Sequence, residues 1–157
     1  MAGEADPTRV VADADVLAAD LLVGGAAREA LAVVRRHSWL ELVTTEKLLA
    51  EAAAVVAELA DADLADDWRA AAETLADVVE QPPDDHPALA AAYRGDAAQL
   101  LSFDDRLGSV ETGAALQGVM DVSVRSPDAF LAVFDPAAAY EHAVGESYPG
   151  PDRDPRA

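Results

Sequence analysis

The apolar and polar positions of this chain fall into blocks whose period switches repeatedly. Val10 to Leu17 (VVADADVL) opens with an apolar run and carries Asp13 and Asp15, which predicts a short buried strand ending at a carboxylate. Gly24 and Gly25 interrupt the pattern. From Ala26 to Arg36 the residues Ala27, Ala30, Leu31 and Val34 recur at helical spacing, so a helix is expected there. Leu40 to Val43 reads as a second strand. Thr44 and Thr45 then offer an N-cap for an Ala-rich helix from Lys47 to Leu59. A further helix is predicted from Leu64 to Val79, stopped by Pro82-Pro83.

Asp84-Asp85-His86-Pro87 leads the chain into a short helix from Ala88 to Tyr93, closed near Gly95. Gln99 to Ser102 reads as a third strand, followed by Phe103-Asp104-Asp105. A short helix is expected over Ala114 to Val119 and a fourth strand over Val122 to Val124. Ser126-Pro127-Asp128 opens a last helix that carries Phe130, Leu131 and Phe134, with Pro127 suited to its first turn. Strands alternating with helices predict an α/β fold, with helices packed on both faces of a mostly parallel sheet of four to five strands. The expected organisation is a short extension over residues 1–8, one domain over 9–144, and a disordered tail over 145–157. That tail holds Pro149, Pro151 and Pro155 among several charges.

Composition narrows the class. A chain of 157 residues suffices for one domain with a sizeable core. Apolar residues make up 52% and aromatics only 5%, so the core must be built from Ala, Val and Leu. Thirty acids face eleven bases, a formal net charge of -19, and Lys47 is the only lysine. The acids are spread along the whole chain. Such self-repulsion opposes compaction in dilute buffer, and halophiles use it to stay soluble in concentrated salt. The expectation is a cytoplasmic protein of a salt-in halophile; an acidic mesophilic protein is the alternative, and the scarcity of lysine speaks against it. The absence of cysteine excludes disulfides, thiolate metal sites and a cysteine nucleophile. Met1 to Arg9 has no apolar run and does not read as a signal peptide. No apolar stretch approaches the ~20 residues that span a bilayer, so no membrane partner is expected.

The chemistry suggested by the pattern is acidic. Asp13 ends the first strand and Asp104 follows the third. Glu51 sits among apolar neighbours in the helix after the second strand, and Asp85 precedes the helix that delivers the chain to the third strand. In a parallel α/β sheet, functional residues collect at the carboxyl ends of the strands. Hard cations such as Mg²⁺ take oxygen ligands, and a cluster of carboxylates needs such a cation to offset its self-repulsion. Three of these acids also have a simpler structural role: Asp13 as a strand-end turn residue, Asp85 as a helix cap, Asp104 in a type I turn. For the third acid Asp84 and Asp96 are alternates, and Asp96 in Arg94-Gly95-Asp96 is readily explained by turn chemistry. His37, His86 and His142 show no ligand spacing and read as surface or cap residues. Trp39 and Trp68 read as packing residues. Arg94, Arg106 and Arg125 are the best-placed phosphate contacts, though solvated surface arginines are the simpler reading of them.

Taken in order, these segments resemble the PIN-domain nucleases, with this chain as a strongly acidic member of haloarchaeal type. VVADADVLAADLL resembles the family's opening strand ending in Asp-x-Asn, with Asp13 as the first acid and Asp15 where the family usually has Asn. SWLELVTTEKLLAEAAAVV resembles the second strand and the helix whose metal-site Glu falls on Glu51. DDHPALAAAYRGDAAQLLSFDDRL resembles the run that supplies the third acid, here Asp85, and the strand ending in Thr and Asp, here Ser102 and Asp104. VRSPDAFLAVF resembles the closing strand and helix. The similarity spans Val10 to Phe134. The departures are Asp15, which adds a charge, Ala98 where an acid is common, and a surface with little basic character.

The resemblance implies a Mg²⁺- or Mn²⁺-dependent nuclease acting on RNA, with Asp13, Glu51, Asp85 and Asp104 holding the ion and Ser102 orienting Asp104. Two ions ~4 Å apart would clamp the attacking and leaving oxygens of an in-line displacement. It equally admits a catalytically silent PIN-like domain used for binding or assembly, or the toxin of a toxin–antitoxin pair with its antitoxin as partner. A homodimer is compatible with each.

Overall fold

The structure of the chain is a computed structural model that describes residues 6–79, 91, 95, 97–103 and 123–151. Five parallel strands form one sheet in the order β3-β2-β1-β4-β5. They are β1 (Asp6–Ala12), β2 (Glu41–Thr44), β3 (Asp77–Val78), β4 (Ala97–Leu101) and β5 (Ser123–Arg125). The described helices are α1 (Ala14–Leu22), α2 (Gly25–Arg35), α3 (Glu46–Leu59), α4 (Ala62–Leu75), α5 (Pro127–Val133) and α6 (Pro136–Val144). The fold is a three-layer α/β/α arrangement with an all-parallel sheet.

The period of two along β1 sorts its side chains between the two layers. Val10 and Ala12 enter a core with Val16, Leu31, Val34, Leu101 and Phe130. Val11 enters the opposite core with Val43, Leu48, Ala91 and Leu100. A third cluster of Ala18, Val56 and Ala65 joins α1, α3 and α4. Small side chains let these helices approach closely, and few large groups anchor the whole. Phe130 is fully buried, and its ring stacks on that of Phe134 at 4.7 Å. Burying a side chain of that size contributes roughly 1.5–3 kcal/mol.

Local chemistry sets the boundaries. Thr45 caps α3, its hydroxyl accepting from the Leu48 amide at 3.1 Å. Asp61 caps α4 and Ser126 caps α5 in the same way, with Pro127 at the start of α5 as its fixed φ favours. Gly24 and Gly25, at φ of 83° and 55°, turn α1 into α2 through backbone that residues with a Cβ rarely adopt. Gly95 serves a different purpose: a Cβ there would lie 2.5 Å from Val43 Cγ1, so only glycine lets this turn close over β2.

Three expectations are corrected. The helix predicted from Leu64 to Val79 ends at Leu75, and the last residues of that span form β3 beside β2, with Val43 opposite Asp77. The first strand begins at Asp6 and the next helix follows directly on Asp13, so Val10 to Leu17 divides between strand and helix. His37, read as a surface or cap residue, is buried. Its Nδ1 donates to the Val33 carbonyl at 2.7 Å, and its Nε2 meets the Tyr148 hydroxyl at 2.5 Å. Tyr148 belongs to the stretch after Gly145, and its ring lies edge-on to those of Trp39 and Tyr140. Trp39 and Trp68 both pack against the first core. The helices expected over Ala88 to Tyr93 (apart from Ala91) and over Ala114 to Val119, with His86, Arg94 and Arg106, lie outside the described residues.

Arginine ties much of the acidic framework together. Arg9 on β1 bonds Glu41 of β2 at 3.0 Å, Asp77 of β3 and the Gly95 carbonyl. Arg69 of α4 bridges Glu46 at 2.8 Å and Glu73 at 3.2 Å, and Glu46 foremost raises the guanidinium above its ordinary range. Among the described residues no helix is long and apolar enough to cross a membrane.

Candidate functional site

The strand order defines where a ligand would sit. The chain builds outward from β1 through β2 to β3, then returns across β1 to lay down β4 and β5. Neighbouring connections therefore diverge between β1 and β4. In doubly wound sheets the crevice at the carboxyl ends of the strands at such a reversal is the usual binding position.

Asp13 stands at that point. It follows the last residue of β1, and its amide extends the ladder by donating to the Leu101 carbonyl of β4 at 2.8 Å. It is also the N-cap of α1, with Oδ1 accepting from the Ala14 amide at 2.8 Å. Only 8% of Asp13 is exposed. The N-terminal end of a helix favours a negative charge there.

Ser102, the first residue after β4, completes the link between the two strands. Its hydroxyl donates to Asp13 Oδ2 at 2.9 Å, and its amide donates to the Arg125 carbonyl of β5 at 3.0 Å. Ser102 is itself buried. Asp15, in the first turn of α1, is exposed, and its Oδ2 accepts from the Phe103 amide at 3.1 Å. Two carboxylates from the start of α1 thus grip two consecutive residues at the end of β4. Thr45, fully buried, stands at the carboxyl end of the neighbouring β2.

Of the residues expected in the site, Asp13, Asp15 and Ser102 come together. Ser102 was expected to orient Asp104; its described side-chain bond is to Asp13. Glu51 lies on the exposed part of α3, one turn beyond Leu48 and beside the buried Ala52, in a helix that packs against α1. Asp84, Asp85, Asp96 and Asp104 lie outside the described residues. Among the described residues no group of three or more acids or histidines is close enough to hold a metal ion. Arg125 on β5 is half-buried and donates to Gln99 Oε1 at 2.9 Å.

Two features escaped the sequence pattern. Phe103 is 46% exposed although it follows the apolar strand closely. Its position after Ser102, where the buried run has already ended, was the available sign. The Ser102–Asp13 bond joins residues 89 positions apart, and no local pattern announces it.

A doubly wound α/β domain with a buried aspartate at its switch point is the class that this fold and geometry define. The chain belongs to DUF7384, a family of unknown function, whose family model matches residues 4–156. Neither a curated protein nor a solved structure matches it.

Proposed function

We propose that this protein is a divalent-metal-dependent nuclease of PIN type that hydrolyses RNA, working in the concentrated salt of a halophile's cytoplasm. The observation that carries the reading is the placement of Asp13. A buried carboxylate at the switch point, held by the Ser102 hydroxyl and the Ala14 amide with Asp15 two residues on, is where a parallel α/β sheet presents its chemistry. The donors suit a hard cation, because carboxylate oxygens from the start of one helix gather at the carboxyl ends of β1 and β4.

Asp13 would bind Mg²⁺ or Mn²⁺ together with Glu51, Asp85 and Asp104, and Asp15 would add charge from the rim. When bound, the ion supplies an acidified water and neutralises charge that develops at the phosphodiester. Ser102 fixes the rotation of the Asp13 carboxylate, and the Ala14 amide at the start of α1 holds its other oxygen. The β1 and β4 ladders hold both residues on rigid backbone.

The test is cleavage of structured and single-stranded RNA in molar KCl, with Mn²⁺ or with chelator. Cleavage should require the metal, and Asp13→Asn should lower it about a thousandfold, ~4 kcal/mol of barrier. Metal-independent cleavage, or full activity in Asp13→Asn, contradicts the proposal. Binding of RNA without cleavage would instead favour the silent, binding form of the same domain.

A further inference from the structure

We propose that Phe103 is a stacking platform for one base of a single-stranded nucleic acid, which it positions beside the Asp13 and Asp15 carboxylates. The inference rests on the nuclease reading and adds to it a positioning residue.

The first observation is the disposition of the aromatic side chains. Phe130 and Phe134 stack on each other within the first core. Trp39, Tyr140 and Tyr148 pack together around His37, and Trp68 is half-buried against the same core. Phe103, at 46% exposure, is the one exposed Phe, Trp or Tyr among the described residues.

The second observation is that this ring sits on anchored backbone. The Phe103 amide donates to Asp15 Oδ2 at 3.1 Å. The preceding residue, Ser102, is tied to Asp13 by its hydroxyl and to β5 by its amide. An exposed apolar ring is thus carried on a residue whose amide Asp15 holds, next to the Ser102 that Asp13 holds. A ring on mobile backbone would pay an ordering cost on stacking; this one is held before the ligand arrives.

The third observation concerns charge. A chain of net charge -19 gains little from phosphates, and in concentrated salt counterion release contributes little to nucleic-acid affinity. Base–aromatic stacking involves no ionic charge, and it tolerates any sequence because every base has a π-face. It is the form of affinity that this surface and that solvent leave available. Because salt screens the repulsion between this chain and the phosphates, affinity should rise rather than fall as salt is raised.

The experiment uses the full chain in molar KCl with chelator and a short single-stranded RNA carrying 2-aminopurine, whose fluorescence is quenched on stacking. Wild type should bind and quench. Phe103→Ala should bind about tenfold more weakly and lose the quenching, and Phe103→Tyr should restore both. An abasic strand should bind wild type and Phe103→Ala alike. In cleavage assays with Mn²⁺, Phe103→Ala should raise KM and leave kcat in place, and its melting temperature should match wild type. Equal binding and quenching by Phe103→Ala overturns the inference, as does a KM that does not move in an enzyme that cleaves. A wild type that binds and quenches but never cleaves overturns the nuclease reading and leaves the platform standing. A wild type that does neither overturns both.

Discussion

Helix α1 carries a buried aspartate at each end, and different groups hold the two. Asp13 at the N-terminus and Asp20 in the last turn are 8% and 7% exposed. Asp20 faces the negative end of the helix dipole, where a carboxylate is disfavoured. Arg35 of α2 compensates with a two-pronged contact, NH1 to Oδ1 at 3.1 Å and NH2 to Oδ2. Arg28 adds a bond to the Asp20 carbonyl at 3.0 Å. Asp13 lies at the positive end of the dipole, and two of its holders, the Ala14 amide and the Ser102 hydroxyl, are neutral. A carboxylate matched by a guanidinium is structural glue between two helices. A carboxylate positioned by a helix-start amide and a strand-end hydroxyl is fixed where two strand connections diverge.

The broadest way to separate buried from surface charge is salt. Raising KCl from 0.1 to 1 M shortens the screening length from ~10 Å to ~3 Å, which relieves repulsion among exposed acids and leaves the buried pair largely untouched. The melting temperature, followed by circular dichroism, should rise by about 10 °C or more. A flat profile would mean that the -19 charge does not govern stability.

Arg35→Met comes next. It strands the Asp20 carboxylate at the wrong end of a dipole. Breaking a fully buried pair costs about 3–5 kcal/mol; with the Arg35 side chain 36% exposed, about 2 kcal/mol is expected here. Adding Asp20→Asn should recover part of the loss. Urea denaturation measures both, and cleavage per folded molecule should not change. A loss of activity at constant stability would break the division drawn between the two ends of the helix.

Ser102→Ala tests the other end of α1. Removing the hydroxyl that donates to the buried Asp13 carboxylate costs about 1–3 kcal/mol of stability. Metal affinity should fall about tenfold, as when a supporting contact behind a ligand is lost. Titration with Mn²⁺ checks the second part, and unchanged affinity would show that the Ser102 bond is structural only.

The same contrast explains what could be read from the chain alone. The end of β1 was legible because an apolar run stops at an acid, and α3 because Thr45 precedes an Ala-rich amphipathic segment. β3 was not, since two residues carry no periodic signal and the Asp77–Val78 pairing depends on β2, more than thirty residues earlier. The buried state of His37 depends on Tyr148, 111 residues away. Asp20 resembles any other acid on an acidic helix until Arg35 folds against it. Asp13 and Ser102 were individually visible as strand ends, and the hydrogen bond that makes them one unit required the β1–β4 pairing.

The central claim is that the carboxylates at the β1–β4 reversal form a divalent-cation site. The most direct measurement is calorimetric titration of Mn²⁺ into wild type and Asp13→Asn in molar KCl, with Asp20→Asn/Arg35→Met as the matched control at the other end of α1. The account predicts saturable binding to wild type and to the control, and none to Asp13→Asn, with all three folded by circular dichroism. Undiminished binding by Asp13→Asn would contradict it.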